Sequence, residues 1–281
     1  MNRISVRKTH KLYIGGAFPR SESGRTFRDG EAEHAIEASR ASRKDLRNAV
    51  VAARKAQPGW AAAPPFLRSQ ILYRAAEMVE SRAESIAASL ATAPGTSEKS
   101  ALAETHATAD LLVHYAGWCD KYQSIFSSVN PVSGPFFNFS VPEPVGVVGL
   151  VAPAAPGLLG LATALAPALA GGNTAILLAA PGHAATALAF AEALATSDLP
   201  GGVANILTGL RDELLPHFAS HMDIDSLIVH NTTRDQRVAI QTAAADSLKR
   251  LAFPEPGRDT PPPYDILNLQ EIKTTWHPVA S

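Results

Sequence analysis

One cysteine in 281 residues excludes an internal disulfide, and no Cys and His pairs fall at metal-ligand spacing, so neither a secreted disulfide scaffold nor a zinc site is expected. Charge is scarce and balanced. Asp, Glu, Lys and Arg make up 18% of the chain, 25 basic against 26 acidic residues, with no strong block of either sign. That leaves no electrostatic footprint for nucleic acid or an anionic membrane, and neither partner class is expected. The basic N-terminus has no apolar run of signal-peptide length behind it, which predicts a reducing, cytoplasmic setting. The stretch between Glu143 and Glu192 carries no charged residue, yet Pro153, Pro156, Gly157, Pro167, Gly171, Gly172, Asn173 and Pro181 interrupt it. A membrane span wants about 20 continuous apolar residues, so this stretch reads as buried α/β core.

What is present begins with KLYIGGAF at 11–18, a hairpin-like start followed by a turn centred on Gly24. From Asp45, the apolar residues Leu46, Ala49, Val50, Ala53 and Ala56 recur at spacings of three and four, predicting an amphipathic helix stopped by Pro58 and Gly59. A longer helix is predicted from Pro65 to the stop at Pro94 and Gly95, and a third from about Glu98 to Phe126. The pattern then changes. After an extended arm from Pro131, strands are predicted at Val145–Val151, Thr174–Leu178, Ala204–Leu207 and Ser226–Val229. They alternate with helices at Leu158–Ala170, Ala184–Ala195 and Asp212–Ser220, and a further helix covers 232–250. Strands and short helices in alternation imply crossover connections and a parallel sheet. A proline-rich segment follows Phe253, and ILNLQEIKTTW reads as one terminal strand.

KLYIGGAF with SESGRTF, DLRNAVVAARKAQPGW, EPVGVVGLVAP, LAPALAGGNTAIL, DLPGGVANILTG and HMDIDSLIVHNTT, taken in order and spacing, resemble the aldehyde dehydrogenase family. The resemblance implies an α/β fold: the family's NAD(P)-binding domain, a Rossmann-variant doubly wound parallel sheet, with N-terminal helices and an oligomerisation arm. On this reading residues 9–258 form the coenzyme-binding domain, with a bridging arm at 128–144 inside it. Residues 259–281 are a proline-rich linker and a C-terminal oligomerisation strand.

The same resemblance makes the positions that do the family's chemistry conspicuous by their substitutions. Ala155 stands where active members are expected to carry the Asn whose amide donates to the oxyanion. Leu178, Ala179, Ala180 and Pro181 stand where the Lys and Glu of a ribose clamp are expected. Arg211 replaces a small residue of the Thr-Gly-x-Gly loop, and His230, Asn231 and Thr232 replace the Thr-Gly-Ser loop. Pro254 takes the place of the general-base Glu, leaving Glu255 one residue out of register, beyond the roughly 3 Å reach of proton transfer. Cys119, in AGWCDKY, precedes the first sheet strand and reads as a partly buried helical cysteine without a neighbouring base. No catalytic residue and no metal ligand is therefore assigned. No cofactor is expected from these residues, and NAD(P) is the one that the resemblance leaves to be tested.

The sequence thus resembles a truncated member lacking the catalytic domain, like the shortened second unit of tandem aldehyde dehydrogenases. It predicts a pseudoenzyme, inactive alone, that assembles with a full-length aldehyde dehydrogenase or with itself. The alternatives are an oxidoreductase acting on aldehydes with NAD(P) through an altered site, or a nucleotide-binding regulatory module.

Overall fold

The computed structural model describes residues 8–30, 35–92, 96–254 and 263–279. At its centre is a five-stranded, all-parallel sheet built from β6 (Val147–Val151), β7 (Thr174–Leu178), β8 (Ala204–Leu207), β9 (Ser226–Val229) and β10 (Arg250–Ala252). Their spatial order is β10-β9-β6-β7-β8. The first strand is therefore central, and the winding reverses beside it, as in doubly wound sheets.

Period-two alternation sorts the strand side chains onto two cores. Val148, Leu150, Ala175, Leu177, Ala204 and Ile206 face one core, together with α2 (Pro65–Glu80), α4 (Glu98–Trp118), α6 (Leu158–Ala170) and α7 (Ala184–Ala195). Val147, Val151, Ile176, Leu178, Leu207, Leu227 and Val229 face the other, under α1 (Arg43–Ala62), α8 (Arg211–Ser220) and α9 (Arg234–Ala244). Burial on both faces explains why these strands read as continuous apolar runs. Among the described residues no helix is long and apolar enough to cross a membrane.

Two small sheets flank the centre. One contains β1 (Thr9–His10), β2 (Thr26–Asp29) and β3 (Ile36–Ser39), in the order β1-β3-β2. The other is the arm: β4 (Ser128–Asn130) and β11 (Gln270–Pro278) pair antiparallel on either side of β5 (Phe136–Pro144). The register Gln270↔Pro144 to Pro278↔Phe136 leaves β11 as an edge strand, and an Asn130, Asn138, Ser140 and Thr274 hydrogen-bond ladder crosses the sheet at 2.6–2.8 Å.

The motifs kept in family order are largely structural. Asn173 Oδ1 accepts from Gly146 N–H at 3.0 Å while its Nδ2 donates to Leu269 O, pinning the start of β6 to the C-terminal segment. Asn205 accepts from Gly15 N–H at 2.9 Å and donates to Gly202 O at 2.8 Å, and Tyr13 bridges the edge of β8 through Ile206. Gly202 is required where it stands: its φ is +95°, and a Cβ would lie 2.5 Å from Ala52 O.

Several boundaries differ from the sequence expectations. Pro58 and Gly59 do not stop α1, which runs to Ala62; buried Trp60, donating to Leu169 O at 3.1 Å, holds the last turn against α6. The second predicted helix breaks at Ser81–Arg82 into α2 and α3 (Ala83–Leu90), and Arg82 ties the break to α7 through Glu192 O and Thr196 Oγ1. Its predicted stop at Pro94 and Gly95 lies outside the described residues. The third ends at Trp118, with α5 (Tyr122–Phe126) following a turn. The helix predicted over 232–250 is shorter: α9 ends at Ala244, one 3-10 turn follows, and Leu248 at φ +50° redirects the chain into β10. Ile266 and Leu267 belong to a short helix, α10 (Tyr264–Leu267), rather than to the terminal strand.

Candidate functional site

In a doubly wound sheet the ligand crevice opens at the carboxyl ends of the strands where the order reverses, here between β6 and β9. The loop after β6 runs from Pro153 to Gly157 and leads into α6; the turn after β9 carries His230 and Asn231. The two are tied together by this chain's own groups. Asn231, held at φ +51°, accepts through Oδ1 from Ala154 N–H at 2.8 Å. Arg211 reaches across from the start of α8 and donates Nη2 to His230 O at 2.7 Å and to Asn231 O at 3.1 Å. His183 Nε2 lies 3.0 Å from Ala154 O. His230 is half-buried; burial first, and then the Arg211 charge, hold its pKa below the usual histidine value, so it is neutral near pH 7.

The residues singled out in the sequence divide into three groups. Ala155 and Pro254 line one apolar cavity of about 210 Å³, together with His230, Pro156 and Ile228. Arg211 and Asn231 meet at the β9 turn as described. Leu178 and Pro181 stand apart from both: Leu178 is fully buried in the core under α8, and Pro181 is exposed in the turn before α7. Glu255 lies outside the described residues. Cys119 is fully buried at the end of α4, donating to Tyr115 O at 3.4 Å, and burial pushes its thiol up to about 12. A thiol so protonated is not a nucleophile at neutral pH.

Two carboxylates that sequence reasoning did not single out complete the picture. Glu104, on α4, accepts from Leu159 N–H at 3.0 Å and so occupies the N-terminal turn of α6. Asp29, at the end of β2, accepts from Gly182 N–H at 2.7 Å and from Ala184 N–H at 2.8 Å, capping α7. Both come from elements distant in sequence, and nothing local in the chain marks them. Helix N-termini attract anions, and here carboxylates of the chain itself already fill that role at α6 and α7.

The residues in the crevice lack part of what a doubly wound fold uses to hold NAD(P). A dinucleotide needs a pyrophosphate-accepting helix N-terminus and acceptors for ribose hydroxyls. Leu178 to Pro181 offer no side-chain acceptor, and Glu104 places negative charge at the start of α6, whereas the start of α9, after Asn231, is capped by Thr233 and Gln236. Asn231 Oδ1 and Arg211 Nη2 are committed to backbone partners, whereas Arg211 Nε is buried without one among the described residues.

The strand order, the two helical layers and the switch-point crevice define a doubly wound α/β domain of the dinucleotide-binding class. The chain belongs to the aldehyde dehydrogenase family, whose model matches residues 20–260. It is 31% identical over 248 residues to the mitochondrial benzaldehyde dehydrogenase of Antirrhinum majus, covering 85% of this chain and 45% of that protein. It is 30% identical over 275 residues to the aldehyde dehydrogenase of Aspergillus niger, covering 96% and 54%. Among solved structures it is similar to HpcC from Thermus thermophilus, with a TM-score of 0.82, 28% identity and coverage of 88% of this chain and 48% of that one. An NAD+ complex of aldehyde dehydrogenase from Bacillus cereus matches with the same TM-score and identity, covering 88% and 50%. The chain thus spans about half the length of the relatives it matches.

Proposed function

We propose that this chain is a catalytically inactive aldehyde dehydrogenase-like protein that assembles with an active aldehyde dehydrogenase as a structural or regulatory subunit. The observation that carries the reading is the arm sheet. Its long outer strand, β11, has no partner on its far edge among the described residues. The sheet also exposes large apolar side chains, with Phe137 at 47%, Ile272 at 53% and Trp276 at 58%. An unpaired edge bearing apolar residues is satisfied by pairing with another chain. The chemistry-bearing positions support inactivity: Ala155 has no side-chain amide, Pro254 no carboxylate, and the single thiol is buried and protonated.

The test is co-expression with a full-length aldehyde dehydrogenase from the same genome, followed by gel filtration at micromolar concentration. Co-elution supports the reading, and substituting Ile272→Lys with Trp276→Lys, which share one face of β11, is expected to separate the two while circular dichroism stays unchanged. Separate elution of the wild-type chains refutes it. Calorimetric titration with NAD and NADP bears on inactivity: no saturable heat is expected, whereas clear micromolar binding would favour an altered-site oxidoreductase.

A further inference from the structure

A second concavity lies away from the crevice, between α1 and α8. α1 starts beside the end of β8, where Ala41 N–H donates to Thr208 O at 2.9 Å, and its Arg54 pairs with Asp225 just ahead of β9. The first turns of α1 and the last turns of α8 border a groove of about 680 Å³ whose walls include Arg25, Arg43, Arg47, His217 and His221. Its charge is one-sided. The one carboxylate in the wall, Glu22, is already ion-paired with Lys44 at 2.8 Å.

Three carboxylates behind the wall are spent as well, while Asp223, beside His221, faces that histidine. Asp45 is buried and accepts from Ser21 Oγ, Glu22 N–H and Ser42 N–H. Glu213 is held by Arg40, and Asp225 by Arg54 at 2.8 Å. Among the described residues no ion pair joins Arg43 or Arg47 to a carboxylate; Arg25 Nε donates to Ser23 Oγ, and its charge also bears on Glu213. Arg43 and Arg47 stand one helical turn apart, so both guanidinium groups project from the same face of α1. A like-charge pair at that spacing weakens a helix, and none of the ion pairs among the described residues involves either arginine. The α1 terminus itself is closed by the Ser42 and Asp45 capping box, so side chains rather than free backbone amides supply the groove's donors.

We propose that this groove binds a small ligand carrying two adjacent phosphate groups, held by Arg43 and Arg47 from α1, by Arg25 from the N-terminal turn and by His217 from α8. Planar guanidinium groups bind phosphate through paired, charge-assisted hydrogen bonds, and two of them a turn apart match two neighbouring phosphate groups better than one. The groove's size suits a small molecule and not a duplex.

The probe is inorganic pyrophosphate, titrated calorimetrically into the full chain at low ionic strength. Saturable 1:1 binding is expected, weakened at least about tenfold by Arg43→Ala with Arg47→Ala, the scale of losing one charge-assisted contact. Arg25→Ala, on another wall, is expected to weaken binding independently. Lys55→Ala, exposed on the same helix but outside the groove, is expected to leave affinity within about twofold, a change well below one such contact. Both α1 arginines are exposed and unpaired, so their variants are expected to fold with a melting temperature equal to or slightly above that of the wild type. Absence of saturable heat, equal affinity in the double variant, or citrate binding as tightly as pyrophosphate would overturn the proposal.

Discussion

The lone cysteine offers the sharpest test of inactivity, because its chemistry follows from its burial. In the fold the Cys119 thiol is fully shielded, and its pKa is pushed up from an ordinary 9.0 to about 12. At pH 8 an ordinary thiol is roughly one-tenth ionised and Cys119 about one part in ten thousand, a suppression of about a thousandfold. Alkylation by iodoacetamide proceeds through the thiolate, so the native chain should label at least about a thousandfold more slowly than the same chain in guanidinium chloride. A mass-spectrometric time course reads this directly. Native labelling within about tenfold of the denatured rate, with no change in circular dichroism, would refute the reasoning and reopen Cys119 as a nucleophile. The same shift is a stability statement. A thiol whose folded pKa is raised contributes in full below pH 9, and that contribution disappears as pH rises from about 9 to about 12. The three-unit shift bounds the loss at about 4 kcal/mol. Buried Tyr13 and Tyr122 act in the same direction, since burial raises both of their pKa values. Cys119→Ala should therefore flatten the alkaline limb of stability measured by urea titration, and an unchanged limb would count against the assigned burial.

The interior carboxylates give further tests. Asp29→Ala removes two charge-assisted hydrogen bonds at the start of α7 and is expected to cost about 2–4 kcal/mol in urea unfolding, with Asp29→Asn between it and wild type. Glu104→Ala uncaps one N–H of α6 and should cost about 1 kcal/mol, while Glu104→Gln, which keeps an acceptor, should cost less. Gly202→Ala forces a side chain into φ +95° against Ala52 O, and its melting temperature should fall by more than that of Gly59→Ala, at an exposed helical position where a Cβ meets nothing.

Local pattern carries most of the central sheet. The strands at Thr174–Leu178, Ala204–Leu207 and Ser226–Val229 and the helices at Leu158–Ala170 and Ala184–Ala195 stand where apolar runs and glycine or proline punctuation put them. These signals are local because each element buries a whole face. Other features depend on partners far along the chain. Burial of Trp60 against α6 carries α1 past Pro58, and contacts from Arg82 to α7 accompany the split between α2 and α3. β10 is hidden from a sequence reading because the turn before it is made by Leu248, a non-glycine residue in a left-handed conformation, which no composition rule anticipates.

The candidate site divides in the same way. Which groups are absent is settled by the chain of letters: alanine at 155 and proline at 254 have no polar side chain in any fold. What occupies the crevice instead could be known only in three dimensions, since Glu104, Asp29, Arg211 and Asn231 act on residues between 19 and 155 positions away. The near-neutral total charge conceals a groove in which the cations of distant segments converge. Identity of side chains is a property of the sequence, whereas the field and solvation around each one are set by neighbours that only folding supplies.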